Sequence, residues 1–203
     1  MSFFLDIGTG AGLASATGIR PYLPPLLAGG LARGDIAIDF EGTDLRFLES
    51  TGFLAGVVAL GVIAFLVERS APNRASPDIG GRAGRGPAEV LSGLIGIALG
   101  TLLFAGALSD NGHEAWIGVV FGPFCAVLAW LAISGLVERV RARLETDQAA
   151  LVTAYADAAA LILAAIAIFL PPLAFLAIPG FVVLLLGGRR REGEKYAGLR
   201  ILR

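Results

Sequence analysis

One histidine, one cysteine and one lysine are all that this chain of 203 residues holds of three residue types on which much protein chemistry depends. The lone His113 excludes the multi-histidine sets that bind catalytic metals or haem. The lone Cys125 lies in an apolar run and has no partner for an intrachain disulfide. The lone Lys195 lies beyond the last apolar run, which excludes a Schiff base inside the apolar body. Charge is scarce as well. Asp, Glu, Lys and Arg make up 16% of the chain, against about 25% in soluble domains. A net charge of −1 leaves no broad basic surface, so nucleic acid is not expected as a partner. The glycine-rich stretch Gly80–Gly86 lacks the lysine and hydroxyl that a phosphate loop needs. No nucleophile, base and ligand set falls at one depth, so no catalytic residue, metal or cofactor is expected.

What the chain has instead is apolar length. Hydrophobic residues are 56% of the total and mean hydropathy is +0.76. They cluster in runs, and a bilayer core calls for about 20 mostly apolar residues per helix. The expectation is an all-α, polytopic transmembrane bundle of about six membrane segments. Residues 1–188 would form a single transmembrane domain and residues 189–203 a basic cytoplasmic tail. The start of the chain has no basic residue before Arg20, and Asp6 and several glycines interrupt its apolar run. It therefore reads as retained structure, not as a secretory signal.

The first apolar stretch, residues 3–32, is too long for one straight crossing and carries Pro21, Pro24 and Pro25 in its middle. Proline removes a backbone donor and clashes with the preceding turn, so a broken first helix of two half-helices is expected. Further spans are expected at residues 51–67, 88–108 and 115–137. The last apolar region, 149–186, is split by Pro171-Pro172 and again by Pro179-Gly180 and reads as a Pro-split hairpin or a re-entrant pair. Arg69, Arg74, Arg82 and Arg85 follow the second span, and Arg139, Arg141 and Arg143 follow the fourth. Arg189, Arg190, Arg191, Lys195, Arg200 and Arg203 lie in the tail, which puts 13 of the 16 basic residues on one side. By the positive-inside rule that side is cytoplasmic. Six crossings then place both termini in the cytoplasm of a multi-pass inner (plasma) membrane protein.

The segments Gly18-Ile19-Arg20-Pro21-Tyr22-Leu23-Pro24 and Lys195-Tyr196-Ala197-Gly198-Leu199-Arg200-Ile201-Leu202-Arg203 resemble those of the bacterial membrane proteins grouped as domain of unknown function 4126. Members carry a similar G-L-R-x-Y-L-P-like segment in the first helix and often end on a K-Y-x-G-L-R-x-L-R-like tail. Ile19 stands where leucine is more usual. The resemblance implies a helical membrane fold and brings no activity with it.

Arg20 is the most informative residue, because an arginine inside an apolar stretch costs at least ~2.5–3.5 kcal/mol on insertion scales. Placed at the joint of a broken helix, beside the N-terminus of the half-helix after Tyr22, it suits a carboxylate or phosphate. Asp157, with Tyr155 two residues before it, is the second candidate. It lies about two turns, near 12 Å by helical rise, from the cytoplasmic end of its span. Arg20, Tyr22, Asp157 and Tyr155 are the expected ligand-binding residues for an anionic small molecule or lipid head group. The function expected is a small transporter or lipid-handling protein. The alternative is a non-catalytic scaffold or accessory subunit in which Arg20 pairs with Asp157 or Asp6. Asp6 itself is expected near the inner interface, Glu49 is expected to cap the second span, and His113-Glu114 to be solvated or capping. The spacings Gly8-x-x-x-Gly12, Gly96-x-x-x-Gly100 and Gly118-x-x-x-Gly122 predict close helix packing. Membrane lipids are expected partners, and self-association through glycine-lined faces is left open.

Overall fold

The computed structural model describes residues 3–70, 87–141 and 149–197. The Gly/Pro/Arg-rich stretch 71–86, the charged stretch 142–148 and the end of the tail, 198–203, lie outside the described residues. The described chain is all helical: α1 Phe3–Ile19, α2 Leu23–Ala32, a 3-10 turn Arg46–Glu49, α3 Thr51–Ser70, α4 Pro87–Ser109, α5 Ala115–Arg141, α6 Ala149–Phe169, the short α7 Pro171–Ala174 and α8 Ala177–Ala197. Three stretches are long and apolar enough to cross a bilayer, Glu89–Ser109, Ala115–Val140 and Leu151–Phe169. Leu23–Ala32, Thr51–Val67 and Pro171–Gly187 are shorter apolar helices. α8 runs without a break from Ala177 through Arg189 to Ala197.

α1 is the hub, packing on α4, α5, α6 and α7. Its sequence, FFLDIGTGAGLASATGI, explains why. Glycine, alanine, serine and threonine leave so little side chain that neighbours close directly on its backbone. A side-chain carbon added at Gly12 would meet Ala167 at 2.5 Å and Ala174 at 2.8 Å, and one at Gly8 would meet the Pro171 carbonyl at 2.7 Å. One added at Gly18 would run into the Ala126 carbonyl oxygen. α4 reciprocates, with Gly96 and Gly100 against Thr17, and Gly118 of α5 packs in turn on Ala105 of α4. All three small-residue spacings are thus spent on packing inside the bundle. The hydroxyl of Thr17 satisfies itself on the Ala14 carbonyl at 2.7 Å, which permits its full burial.

The first apolar stretch does not cross from one end of the bundle to the other. α1 starts beside the 110–113 turn, where Asn111 Nδ2 donates to Asp6 Oδ1 at 3.0 Å, and beside α7, where Phe4 stacks on Phe175. We call this the upper end. The chain runs down to Ile19, bends at 20–22, and α2 returns upward, so that Gly29 packs on Leu48 and Leu54 and Arg33 bonds to Thr51 at the head of α3. The expected six crossings are therefore corrected: residues 3–32 form a helical hairpin whose two ends share one face. Pro21 forces the bend by disfavouring helical geometry at Arg20, whose N–H makes the last α1 bond, to Ala16. Asp6 is corrected with it, since it shares the upper end with the 110–113 turn and is 1% exposed.

The acidic segment 33–50 is less polar in its role than in its composition. Ile38, Phe40 and Leu48 are buried beneath it, Phe40 against Gly106, and they cap the upper end. Ser50, not Glu49, starts α3: its Oγ accepts the Phe53 N–H at 3.2 Å.

Candidate functional site

The hairpin places its tip deep in the bundle. By helical rise α1 descends about 25 Å from Phe3, and Thr17 and Pro21 lie against Gly96 of α4. There Arg20 Nε stands 2.6 Å from Asp157 Oδ1 of α6, the two side chains 20% and 42% exposed. Arg20 is thus drawn to the acid on α6, and the Asp6 partnership is excluded, since fourteen residues of helix separate the two by about 21 Å. A half-solvated pair of this kind is worth less than its distance suggests, because water screens it.

Tyr22 stays at the tip, its ring over Gly61 of α3. Tyr155 does not join the pair. It is 75% exposed, and residues two apart on a helix point in opposing directions. The half-helix N-terminus is also poorer in donors than its position implies. Tyr22 caps α2 without a side-chain bond, and Pro24 and Pro25 fill two of the first positions. Neither proline has an N–H, so this N-terminus offers fewer backbone donors than one without prolines. The prolines make the turn tolerable in an apolar setting by removing polar groups that would otherwise lack partners.

The pair also marks where the core ends. Toward the lower end, no described residue beyond Gly93 of α4, Ala132 of α5, Ala160 of α6 or Phe181 of α8 is buried, and α3 has none beyond Val57. The hairpin contributes to this, because α1 ends at Ile19 and the chain turns back there. On one flank, an apolar groove of about 590 Å³ opens between α6 and α8, lined by Ile19, Ile133, Leu163 and Phe181 among others.

A second polar group, not legible as such in the sequence, sits at the upper end. Asp6 Oδ2 lies 3.2 Å from His113 Nε2, and the imidazole meets Phe3 edge-on at 5.0 Å. The signal available was an acid inside an apolar helix together with the only histidine of the chain. Beside it, Asp35, Asp39 and Asp110 line a shallow pocket of about 200 Å³. Burial pushes the Asp110 carboxyl above its ordinary value. The Asp39 backbone N–H that bonds to it works the other way, and the charges of Asp39 and Asp6 add to the rise. Among the described residues no three His, Cys, Asp or Glu side chains converge as a metal site.

Comparison of the chain with family models, with curated proteins and with solved structures finds no match.

Proposed function

We propose that this is a multi-pass membrane protein that takes an anionic group, carboxylate or phosphate, at Arg20, as a small transporter or lipid-handling protein does. In this reading α3, α4, α5, α6 and α8 cross the bilayer and the α1–α2 hairpin is re-entrant. The lower end faces the cytoplasm, since α3, α5 and α8 run toward it and carry Arg69, Arg139 with Arg141, and Arg189 to Arg191 in their C-terminal turns. The N-terminus then lies on the opposite face from the tail. The observation that carries the reading is the coincidence of two features at one level: core packing ends where Arg20 and Asp157 meet. A charged pair at the level where packing of the described residues ends is where a ligand from the cytoplasmic side would arrive, and re-entrant helices in membrane proteins line such sites.

The short Arg20–Asp157 contact favours a second reading, a scaffold in which the pair only fastens the hairpin tip to α6. Native mass spectrometry of the wild type beside Arg20→Ala separates the two. A bound anionic lipid or small anion seen only in the wild type supports the site. No bound species in either protein, with marked destabilisation of the variant, overturns it in favour of the scaffold. We further propose that the chain belongs with the family it resembles, on the strength of Gly18–Pro24, the residues that build the hairpin tip.

A further inference from the structure

α6 and α8 are held by different neighbours: α6 packs chiefly on α1, and α8 on α5. The apolar groove of about 590 Å³ lies between them, and its lining carries almost nothing polar. That volume falls within the range of small-molecule sites, about 300–1,000 Å³. On α8 the groove runs from Ala177 to Leu184, with Phe181 packed on Ala129 and Ala132, while Ile19, Ala159 and Leu163 line it from α1 and α6. Gly180 leaves one wall bare, since a side-chain carbon added there would meet nothing within 4 Å.

Depth and charge together point to the occupant. Arg189, Arg190 and Arg191 follow Leu184 along the same unbroken helix, and the acids Glu192 and Glu194 come only after them. By helical rise the groove begins about 7.5 Å from Arg189 and ends about 18 Å from it. That is close to the depth of one leaflet in a bilayer core about 30 Å thick. Ala177, Gly180 and Leu184 form one line at helical spacing, and the line continues through Gly187 and Gly188 to position 191. A basic run at the cytoplasmic end of a span attracts anionic lipid. A second copy of the chain is disfavoured, because two-fold association about the membrane normal would set another arginine run at the same level.

We propose that the α6–α8 groove binds one anionic phospholipid of the cytoplasmic leaflet, an acyl chain lying along Ala177–Leu184 and the phosphate at the level of Arg189–Arg191. Affinity comes from the methylenes buried in the groove, and the arginine run selects the charge of the head group. The inference rests on the membrane orientation of the proposed reading and not on the anion site at Arg20.

Native mass spectrometry of the delipidated full chain in detergent tests this, with palmitoyl-oleoyl phosphatidylglycerol and phosphatidylcholine as probes. One phosphatidylglycerol is expected to stay on the wild type, bound at least fivefold more tightly than phosphatidylcholine. Gly180→Leu grows into the groove and should cut that retention at least fivefold at an unchanged melting temperature, whereas Gly56→Leu on α3 should not. Replacing Arg189, Arg190 and Arg191 together by Gln should bring phosphatidylglycerol down to the phosphatidylcholine level. Arg20→Ala should leave retention as it was, so failure of the groove and failure of the anion site are separate results. Retention unchanged in a folded Gly180→Leu overturns the groove. Loss confined to a folded Arg20→Ala moves the lipid to the hairpin tip and overturns it too. A wild-type dimer that Gly180→Leu dissolves gives the groove to a second copy instead. If Gly180→Leu does not fold, a phosphatidylglycerol with a diazirine in its acyl chain decides on the wild type. Photo-adducts within 159–163 and 177–184 support the site, and adducts spread over α3 and α4 overturn it.

Discussion

Two polar pairs among the described residues sit at opposite ends of α1 and are built to different specifications. At the upper end Asp6 is sealed, its side chain 2% exposed, bonded by Asn111 and faced by His113. At the lower end Arg20 and Asp157 are short of full burial on both sides and stand where packing gives out. A sealed carboxylate that already has two partners can only hold things together. A paired but accessible arginine can exchange one partner for another. The contrast separates a sealed pair from an accessible one, although both hold single acids on apolar helices in the sequence.

The comparison can be broken by substitution. The largest effect is expected from His113→Ala, which leaves Asp6 buried with Asn111 as its remaining polar contact. Leaving a buried polar atom without its partner costs about 1–3 kcal/mol, and more for a charged group, so a clear drop in unfolding free energy in detergent is expected, with part of it restored by adding Asp6→Asn. Retained stability in His113→Ala would show that the upper pair is not a fastener. Next comes Gly12→Leu, which forces α1 away from Ala167 and Ala174. Overpacking of this kind costs about 1–3 kcal/mol or more, and the same measurement reads it against Gly56→Leu on α3, where nothing lies within 4 Å of the added carbon and little change is expected. Arg20→Ala should cost about 1–2 kcal/mol, given the exposure of its pair, and the double variant Arg20→Gln with Asp157→Asn should cost less than the single one. Equal losses would mean that the pair has no energetic coupling.

The smallest expected effect concerns Asp110. Its carboxyl titrates higher in the folded protein than in the unfolded chain. The folded state therefore holds that proton more tightly, and the relative stability this gives is complete at acid pH and lost as pH rises through the folded value. At neutral pH the buried charge is a net cost. Asp110→Asn keeps an acceptor for the Asp39 N–H and removes that charge, so it should raise the melting temperature slightly near neutral pH. The gain should fade as pH falls through the carboxylate range. A gain of equal size at acid pH would assign it to something other than ionisation.

Much of the architecture was legible in the amino-acid sequence because hydrophobic runs and prolines act locally. The helices at 51–70, 87–109 and 115–141 begin within a residue of where composition changes, and the breaks at Pro21 and at Pro171 follow from proline's missing donor. The direction of the chain after Arg20 was not legible. A helix that kinks and one that folds back share the same prolines, and what decides between them is contact with Leu48, Leu54 and Thr51 further along the chain. The same gap hid the Asp6–His113 pair, whose members lie 107 positions apart and meet only once the hairpin is in place. Arg20 and Asp157 were recognisable individually because charge inside an apolar run is costly wherever it lies. Tyr155 was drawn in by proximity in sequence, and helical periodicity removes it.

A hub made of glycine and alanine has a consequence for biogenesis. α1 has almost no side-chain bulk with which to hold itself in place. The surfaces that close on it come from α4, α5, α6 and α7, the last of which ends at Ala174. At 5–20 residues per second of synthesis, on the order of ten seconds separates the making of α1 from the making of its last neighbour. The helix synthesised first is the one positioned last. Asp6 waits for Asn111 and His113 and Arg20 waits longer, for Asp157, and the growing chain must be held by the insertion machinery or kept at the membrane surface until α6 arrives.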